Sequence, residues 1–191
     1  MEPETLNLPV LALRGLTVFP HTNLTFDVER HISMKALEVA METGQEIFLV
    51  TQREINVEKP TEQDLYAIGT ISRVTQILRL GQNSLRVMVE GGRRARLKRL
   101  WQLEPYLQGQ VETAEEPESV NHGPKTEALL RQTWSLFQDY AQLAGNVAEE
   151  VIAAALDCQE PGDLADLIAQ NIALRYDDKQ AILEELSPMV R

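Results

Sequence analysis

The sequence predicts an α+β protein in which a strand-rich N-terminal domain with one helix precedes an all-α segment. Up to about residue 111 most apolar residues alternate with polar ones or form short buried runs, as in strands. A composition shift follows at residues 115–124, which contain several acids and two prolines. Beyond it every apolar pattern has the helical period. We therefore expect a β domain at residues 1–116, a linker at residues 117–124 and a helical bundle at residues 125–191.

The first elements are predicted from changes in apolar spacing. Apolar residues at 6–13 form a buried strand, which the Arg14-Gly15 pair interrupts where a bulge or turn would fall. Alternation at residues 24–28 predicts a half-buried strand, and the period then lengthens to 3.6 residues at 32–41 before Gly44, a typical helix stop. Ile47 to Val50 begin the next strand.

A long β-hairpin is predicted from two apolar segments, residues 68–80 and 85–100, around the turn sequence GQNS. With Leu80 opposite Leu85 and Leu78 opposite Val87, these four residues share one face, and Ile77 and Met88 meet on the other. A core can cover only one face of a hairpin near its tip. One apolar face is therefore expected to be accessible, either that of Leu78 and Leu80 or that of Ile77 and Met88.

The C-terminal segment contains four helical signals. An apolar stripe lies within residues 129–144, Asn146 with Glu149 resembles a capping box, and further helices open at Pro161-Gly162-Asp163 and at Asp177. These patterns predict a helical bundle.

Composition excludes several classes of protein. The formal net charge of −11 argues against a general nucleic-acid binder, and Cys158, the only cysteine, permits no internal disulfide and suits a reducing compartment. No apolar run approaches the roughly 20 residues of a membrane span, so a cytoplasmic protein without membrane contact is expected.

Motifs for catalysis are also missing from the sequence. It contains no GxxxxGK[ST] phosphate loop, no GxGxxG and no histidine pair with metal-ligand spacing. Ser33 and Lys35 lie two apart on a predicted helix and cannot face each other. Cys158 has no neighbouring His or Lys to form a thiolate. We predict no catalytic, cofactor-binding or metal-binding residue in this chain.

The one basic concentration is RRARLKR at residues 93–99. Strand alternation places Arg94, Arg96 and Lys98 on one face, which predicts a solvated cationic stripe. This stripe is either an ordinary charged surface or a contact for nucleic acid or an acidic peptide. No aromatic residues interleave with it, which disfavours binding of single strands.

Several segments together resemble the N-terminal region of the ATP-dependent Lon proteases. They are LPVLALRGLTVFPH (8–21), DLYAIGTISRVTQILRL (64–80), VMVEGGRRARL (87–97), EPGDLADLIAQNIAL (160–174) and DDKQAILEEL (177–186). Their order matches and they cover nearly the whole chain. Ala12, Glu29 and Gly92 depart from the family's common residues.

The resemblance implies a PUA-like β pseudo-barrel joined to a small helical bundle. It also implies a homohexameric parent enzyme, an ATP-dependent serine protease with a Ser-Lys dyad and an AAA+ motor, of which this chain is a fragment. ATP and Mg²⁺ would belong to the parent's other modules, and none is expected here. The implied partners are unfolded or damaged proteins and other subunits of the hexamer.

The implied role is to recognise substrates and to support assembly. We expect unfolded polypeptide to bind an exposed surface of the strand domain formed by Phe19, Pro20, Leu24, Leu78 and Leu80, because misfolded chains expose apolar side chains. Two alternatives stay open: a stand-alone PUA-like protein that binds nucleic acid through Arg94, Arg96 and Lys98, and a structural spacer that holds subunits in register.

Overall fold

The computed structural model describes residues 3–81, 83–114 and 123–191. The chain divides into two compact units, residues 1–115 and residues 116–191. Of the predicted linker at 117–124, only residues 123 and 124 are among the described residues, and Pro124 already begins a helix. The α+β class predicted from the sequence is confirmed.

The first unit contains six strands and one α-helix among its described residues. In chain order they are β1 (Thr5–Leu13), β2 (Asn23–Val28), α1 (His31–Glu42), β3 (Glu46–Thr51), β4 (Ile68–Arg79), β5 (Leu85–Gln102) and β6 (Leu107–Thr113). The helix predicted before Gly44 is therefore confirmed. Gly15 has a φ of 64°, which explains why glycine follows Arg14 where the chain turns after β1.

The sheet closes on itself through its longest strand. The strand order is β2-β5-β4-β3-β1-β6, and β5 also pairs with β6. At 18 residues, β5 is long enough to pair with β2 and β4 near its start and with β6 near its end. Strands β1, β3, β4, β5 and β6 thus form a ring, and β2 extends the sheet beside the first half of β5.

Both faces of β1 are buried, which accounts for its continuous apolar run. Leu11 and Leu13 pack into a core cluster that includes α1. Val10 and Ala12 pack into a second cluster with Phe48 of β3. A strand covered on both sides needs apolar residues at every position rather than at alternate ones.

The second unit is helical throughout its described elements. They are α2 (Pro124–Ala144), α3 (Glu149–Asp157), α4 (Pro161–Asn171) and α5 (Tyr176–Glu184). Phe137, Ala155 and Leu164 form the centre of its core, to which α2, α3 and α4 each contribute one side chain. Within the described residues, no helix of either unit combines the length and hydrophobicity that crossing a membrane requires.

Candidate functional site

The β4–β5 hairpin has a different register from the predicted one. Arg79 is paired with Leu85, Leu78 with Arg86 and Ile77 with Val87. The backbone N–H of Leu80 donates a 3.0 Å hydrogen bond to the carbonyl of Ser84, so the turn closes one residue earlier than the sequence pattern suggests. The predicted pairing of Leu78 with Val87 is therefore wrong by one position.

This register separates the two faces of the hairpin end. Ile77, Leu85 and Val87 belong to the core cluster around α1 or pack against it. Leu78, Leu80 and Met88 remain 49%, 51% and 41% exposed. The same register, set at the turn, places Met88 opposite Gln76 and therefore on the same side as Leu78. We call Leu78, Leu80 and Met88 the hairpin surface.

An ion pair lies within the hairpin surface. Arg86 stands opposite both Leu78 of β4 and Asp27 of β2. Its guanidinium donates two hydrogen bonds to the Asp27 carboxylate, Nε to Oδ1 at 2.7 Å and Nη2 to Oδ2 at 2.9 Å. The three apolar side chains thus flank a polar pair whose charges are mutually satisfied.

The Asp27 carboxyl is expected to titrate below its ordinary range. The hydrogen bonds from Arg86 lower the pKa of Asp27, and the positive charge of Arg86 lowers it further. Because the pKa of Asp27 is lower in the folded state than in the unfolded state, the ion pair stabilises the fold fully at pH values above the unfolded-state pKa. This stabilisation disappears as the pH falls through the folded-state pKa. Arg86→Gln should raise the pKa of Asp27 toward its ordinary value, as measured by NMR titration of the carboxyl carbon.

Asp64 is the matched control for this titration. Hydrogen bonds from the backbone and side chain of Thr61 lower the pKa of Asp64 without help from Arg86. Arg86→Gln should leave the pKa of Asp64 unchanged. Equal pKa values of Asp27 in the two proteins would contradict the assigned ion pair.

Three of the five residues predicted to bind polypeptide do not lie on this surface. Phe19 and Pro20 are buried, so their predicted exposure is wrong. The physical reason is backbone pairing with β5: His21 donates a 2.8 Å hydrogen bond to Gly91, and Gly91 donates one of the same length to Thr22. Leu24 is partly buried and packs against the core cluster around α1.

The predicted cationic stripe is also corrected. Arg94 is only 3% exposed, next to the buried Ala95, because register shifts interrupt the alternation of β5. On the exposed positions, Arg93 pairs with Glu4 at 2.8 Å and Lys98 pairs with Glu112 at 3.3 Å. Arg96, another residue of the predicted stripe, stays exposed. Because two of the exposed cations on this strand are already paired, the strand attracts phosphates less strongly than its sequence suggests.

Residues with catalytic potential are not brought together in the described part of the chain. Ser33 is buried, and Lys35 forms an exposed pair with Glu38 at 3.0 Å. Burial, followed by the charges of Asp163 and Asp157, raises the pKa of the Cys158 thiol, which disfavours the reactive thiolate. Among the described residues no three His, Cys, Asp or Glu side chains are placed to hold a metal ion.

Comparison with known proteins assigns the family. Residues 7–191 match the family described as the ATP-dependent protease La (LON) substrate-binding domain. This chain belongs to the Lon protease family. The resemblance seen in the sequence is therefore confirmed.

Relatives named Lon protease cover almost the whole chain. The Lon protease of Desulforamulus reducens is 39% identical over 186 residues, which are 97% of this chain and 23% of that protein. Lon protease 1 of Bacillus subtilis is 36% identical over 178 residues, which are 93% of this chain and 23% of that protein. The chain thus spans about a quarter of the length of these Lon proteases.

Two solved Lon structures share the fold. The N-terminal domain of Lon protease from the Mycobacterium avium complex superimposes with a TM-score of 0.76 at 20% identity, covering 97% of this chain and 93% of that one. The Lon N-terminal domain protein of Xanthomonas campestris gives a TM-score of 0.67 at 16% identity, covering 96% and 92%. At these identities the likeness supports the fold alone.

Sequence reasoning missed Met88 as a partner of Leu78 in this Lon domain. It placed Met88 on the opposite face of the hairpin because it set Leu80 opposite Leu85, whereas Leu85 pairs with Arg79. The hydrogen bond from Leu80 to Ser84 fixes this register. A turn sequence such as GQNS does not by itself indicate which flanking residues pair across it.

Proposed function

We propose that the strand-rich unit holds unfolded or damaged polypeptide on the hairpin surface for the rest of a Lon protease. The observation that carries this proposal is the exposure of Leu78, Leu80 and Met88 at the end of a hairpin whose other face is core. A family described as a substrate-binding domain supplies the context. In the parent protein, an ATP- and Mg²⁺-dependent motor and a serine protease module would unfold and cleave the bound chain.

Recognition on such a surface is shallow and tolerant of sequence. Each partly buried apolar side chain contributes on the order of 1 kcal/mol, so several client residues must bind together. Folded proteins rarely present several adjacent apolar residues, whereas unfolded chains do so throughout their length. The hairpin surface therefore discriminates by the density of exposed apolar side chains rather than by a motif.

Replacing both Leu78 and Leu80 with Ser is expected to weaken binding of a permanently unfolded protein. The loss should be about thirtyfold, since two contacts of about 1 kcal/mol each are removed. Reduced and carboxymethylated α-lactalbumin is a suitable client, and its binding can be followed by fluorescence anisotropy. Circular dichroism establishes that the variant is folded, which is expected because both side chains are about half exposed.

The matched control replaces two exposed leucines of the other unit, Leu136→Ser with Leu143→Ser. Both leucines lie on α2, outside the hairpin surface, and their substitution should leave client affinity unchanged. Unchanged affinity of the folded Leu78→Ser/Leu80→Ser variant would eliminate the hairpin surface. An equal loss in both double variants would indicate nonspecific adhesion to apolar surface.

The two alternative functions have distinct signatures. Nucleic-acid binding would produce affinity for an oligonucleotide that falls steeply with salt, which the paired cations Arg93 and Lys98 disfavour. A spacer would self-associate without affinity for unfolded polypeptide. We further infer that the closed ring of strands is the family's PUA-like pseudo-barrel, that the helical unit is its bundle, and that the parent is a cytoplasmic homohexamer.

A further inference from the structure

Two arginines meet at the corner after β1 and the start of α1. Arg14 and Arg30 both line a cavity of about 430 Å³ and a second cavity of about 480 Å³. The first cavity lies between the β1 corner and β2, and its wall includes Leu13, Leu16 and Phe26. An apolar wall is thus bordered by two guanidinium groups.

Neither guanidinium is neutralised by a hydrogen-bonded carboxylate within the described residues. Arg30 donates to the Gln52 side chain, Nη1 to Oε1 at 2.7 Å, and to the carbonyl of Ala12, while Arg14 donates through Nη2 to the carbonyl of Val57 at 3.1 Å. All three acceptors are uncharged. Two guanidinium groups carry about ten N–H donors in total, so most remain available to a ligand.

The two positive charges are close enough to affect each other. Burial, and after it the charge of Arg14, lowers the pKa of Arg30 to about 10. Arg30 nevertheless stays cationic near pH 7, where a bound anion would relieve its repulsion from Arg14. The first turn of α1 contains no acidic residue and adds a smaller positive contribution at the same place.

Other charged groups around the cavities limit the size of the anion. Glu29 and Asp27, the latter paired with Arg86, line the first cavity, and Glu58 and Glu104 line the second, where Glu104 is paired with Lys59 at 3.2 Å. These carboxylates and the net charge of −11 repel polyanions. A single carboxylate next to an apolar side chain fits both the arginine pair and the leucine-lined wall.

We propose that Arg14 and Arg30 bind a carboxylate of the client polypeptide, either its C-terminal carboxylate or that of an acidic side chain. The apolar side chain next to this carboxylate in the client enters the cavity lined by Leu13, Leu16 and Phe26. The site rests on the proposed function because its ligand is a client chain. It deepens that function by adding an anchor for one charged group to the shallow hairpin surface. Arginine suits this task because its planar fork matches a carboxylate.

The test compares short fluorescent peptides on the intact chain. A ten-residue Gly/Ser peptide that ends in Leu with a free carboxylate should bind about tenfold more tightly than its C-terminal amide, since a charge-assisted contact is lost. A third peptide, amidated but with Glu beside the terminal Leu, identifies the source of the carboxylate: recovered affinity assigns acidic side chains, and no recovery assigns the C-terminus. Equal affinity of all three peptides would overturn the proposal.

Variants locate the binding to the arginine pair. Arg14→Gln should reduce the affinity of the free-acid peptide about tenfold and leave the weak binding of the amide unchanged, because Arg14 is exposed and its removal spares the core. Arg99→Gln, an exposed arginine of β5, should have no effect. A free-acid preference that persists in Arg14→Gln would also overturn the assignment.

The hairpin variant separates this site from the proposed function. The peptides contain one apolar residue and cannot span the hairpin surface, so Leu78→Ser/Leu80→Ser should bind them like the unmodified chain. Loss of unfolded-protein binding with peptide binding retained would support both sites. Loss of the acid preference alone in Arg14→Gln, with lactalbumin still bound, would show that the two sites act independently.

Discussion

Replacing Gly91 with Ala is expected to unfold the strand-rich unit or to destabilise it by more than about 4 kcal/mol. A Cβ at this position would lie 2.0 Å from the carbonyl oxygen of Phe19 and 3.0 Å from its carbonyl carbon. Both neighbours are backbone atoms, so no side-chain rotation relieves the clash. The segment carrying Phe19 must therefore leave β5, which breaks the hydrogen bonds that Gly91 makes with His21 and Thr22.

The consequences extend beyond one contact because this segment connects β1 to β2. Thr70 of β4 donates a 2.6 Å hydrogen bond to the carbonyl of Val18, and Thr22 donates one of 2.6 Å to the carbonyl of Phe19. Phe19 itself is fully buried. Displacing the segment would expose this ring and leave buried carbonyl groups without donors, and each loss adds to the steric cost.

Urea unfolding followed by circular dichroism measures the effect. Gly81→Ala is the matched control, since nothing lies within 4 Å of a Cβ at position 81. That variant should unfold at nearly the midpoint of the unmodified chain. A midpoint for Gly91→Ala close to that of Gly81→Ala would contradict the tight pairing of the Phe19 segment with β5.

Helices and strands could be predicted from local spacing because the period of apolar residues reports which side of an element is buried. The spacing before Gly44 predicted α1, and Pro161 predicted the start of α4. The exposure of Phe19 and Pro20 could not be predicted in this way. Their burial depends on Gly91, which is distant in sequence and carries no local signal of a partner strand.

Register shifts account for the other failures. A single extra residue in a strand moves every following side chain to the opposite face. The turn pairs Arg79 rather than Leu80 with Leu85, which brought Met88 to the side of Leu78, and the shift between Gly91 and Arg93 turned Arg94 into the interior. The predicted leucine surface therefore gained a methionine, and the predicted cationic stripe lost its first arginine.

The arginine site depends on how three elements converge in space, which local sequence patterns do not indicate. Arg14 belongs to the pair that interrupts the first strand, and Arg30 precedes α1 without any motif. Their relation becomes visible only when β1, β2 and α1 converge. The family could be predicted from ordered segments of residues, but the two candidate binding surfaces depend on contacts between those segments.

Replacing Arg191 with Ala is expected to destabilise the helical unit by about 3 kcal/mol. Arg191 Nη1 lies 3.0 Å from Oδ1 and 3.1 Å from Oδ2 of Asp166 on α4. The two side chains are 0% and 3% exposed, so water contributes almost nothing to their solvation. Removing the cation would break this buried ion pair, which costs far more than the loss of a surface pair.

Urea unfolding of the helices, followed by far-ultraviolet circular dichroism, tests this expectation against two further variants. Arg175→Ala removes an exposed pair with Asp177 and should change the midpoint little. The double variant Arg191→Met/Asp166→Leu removes both buried charges and should recover most of the lost stability, because an apolar pair of similar volume has no desolvation cost. If Arg191→Ala unfolded at the same midpoint as Arg175→Ala, the ion pair would not be buried in solution. If the double variant were less stable than Arg191→Ala, the packing around Asp166 rather than its charge would determine the stability of α4.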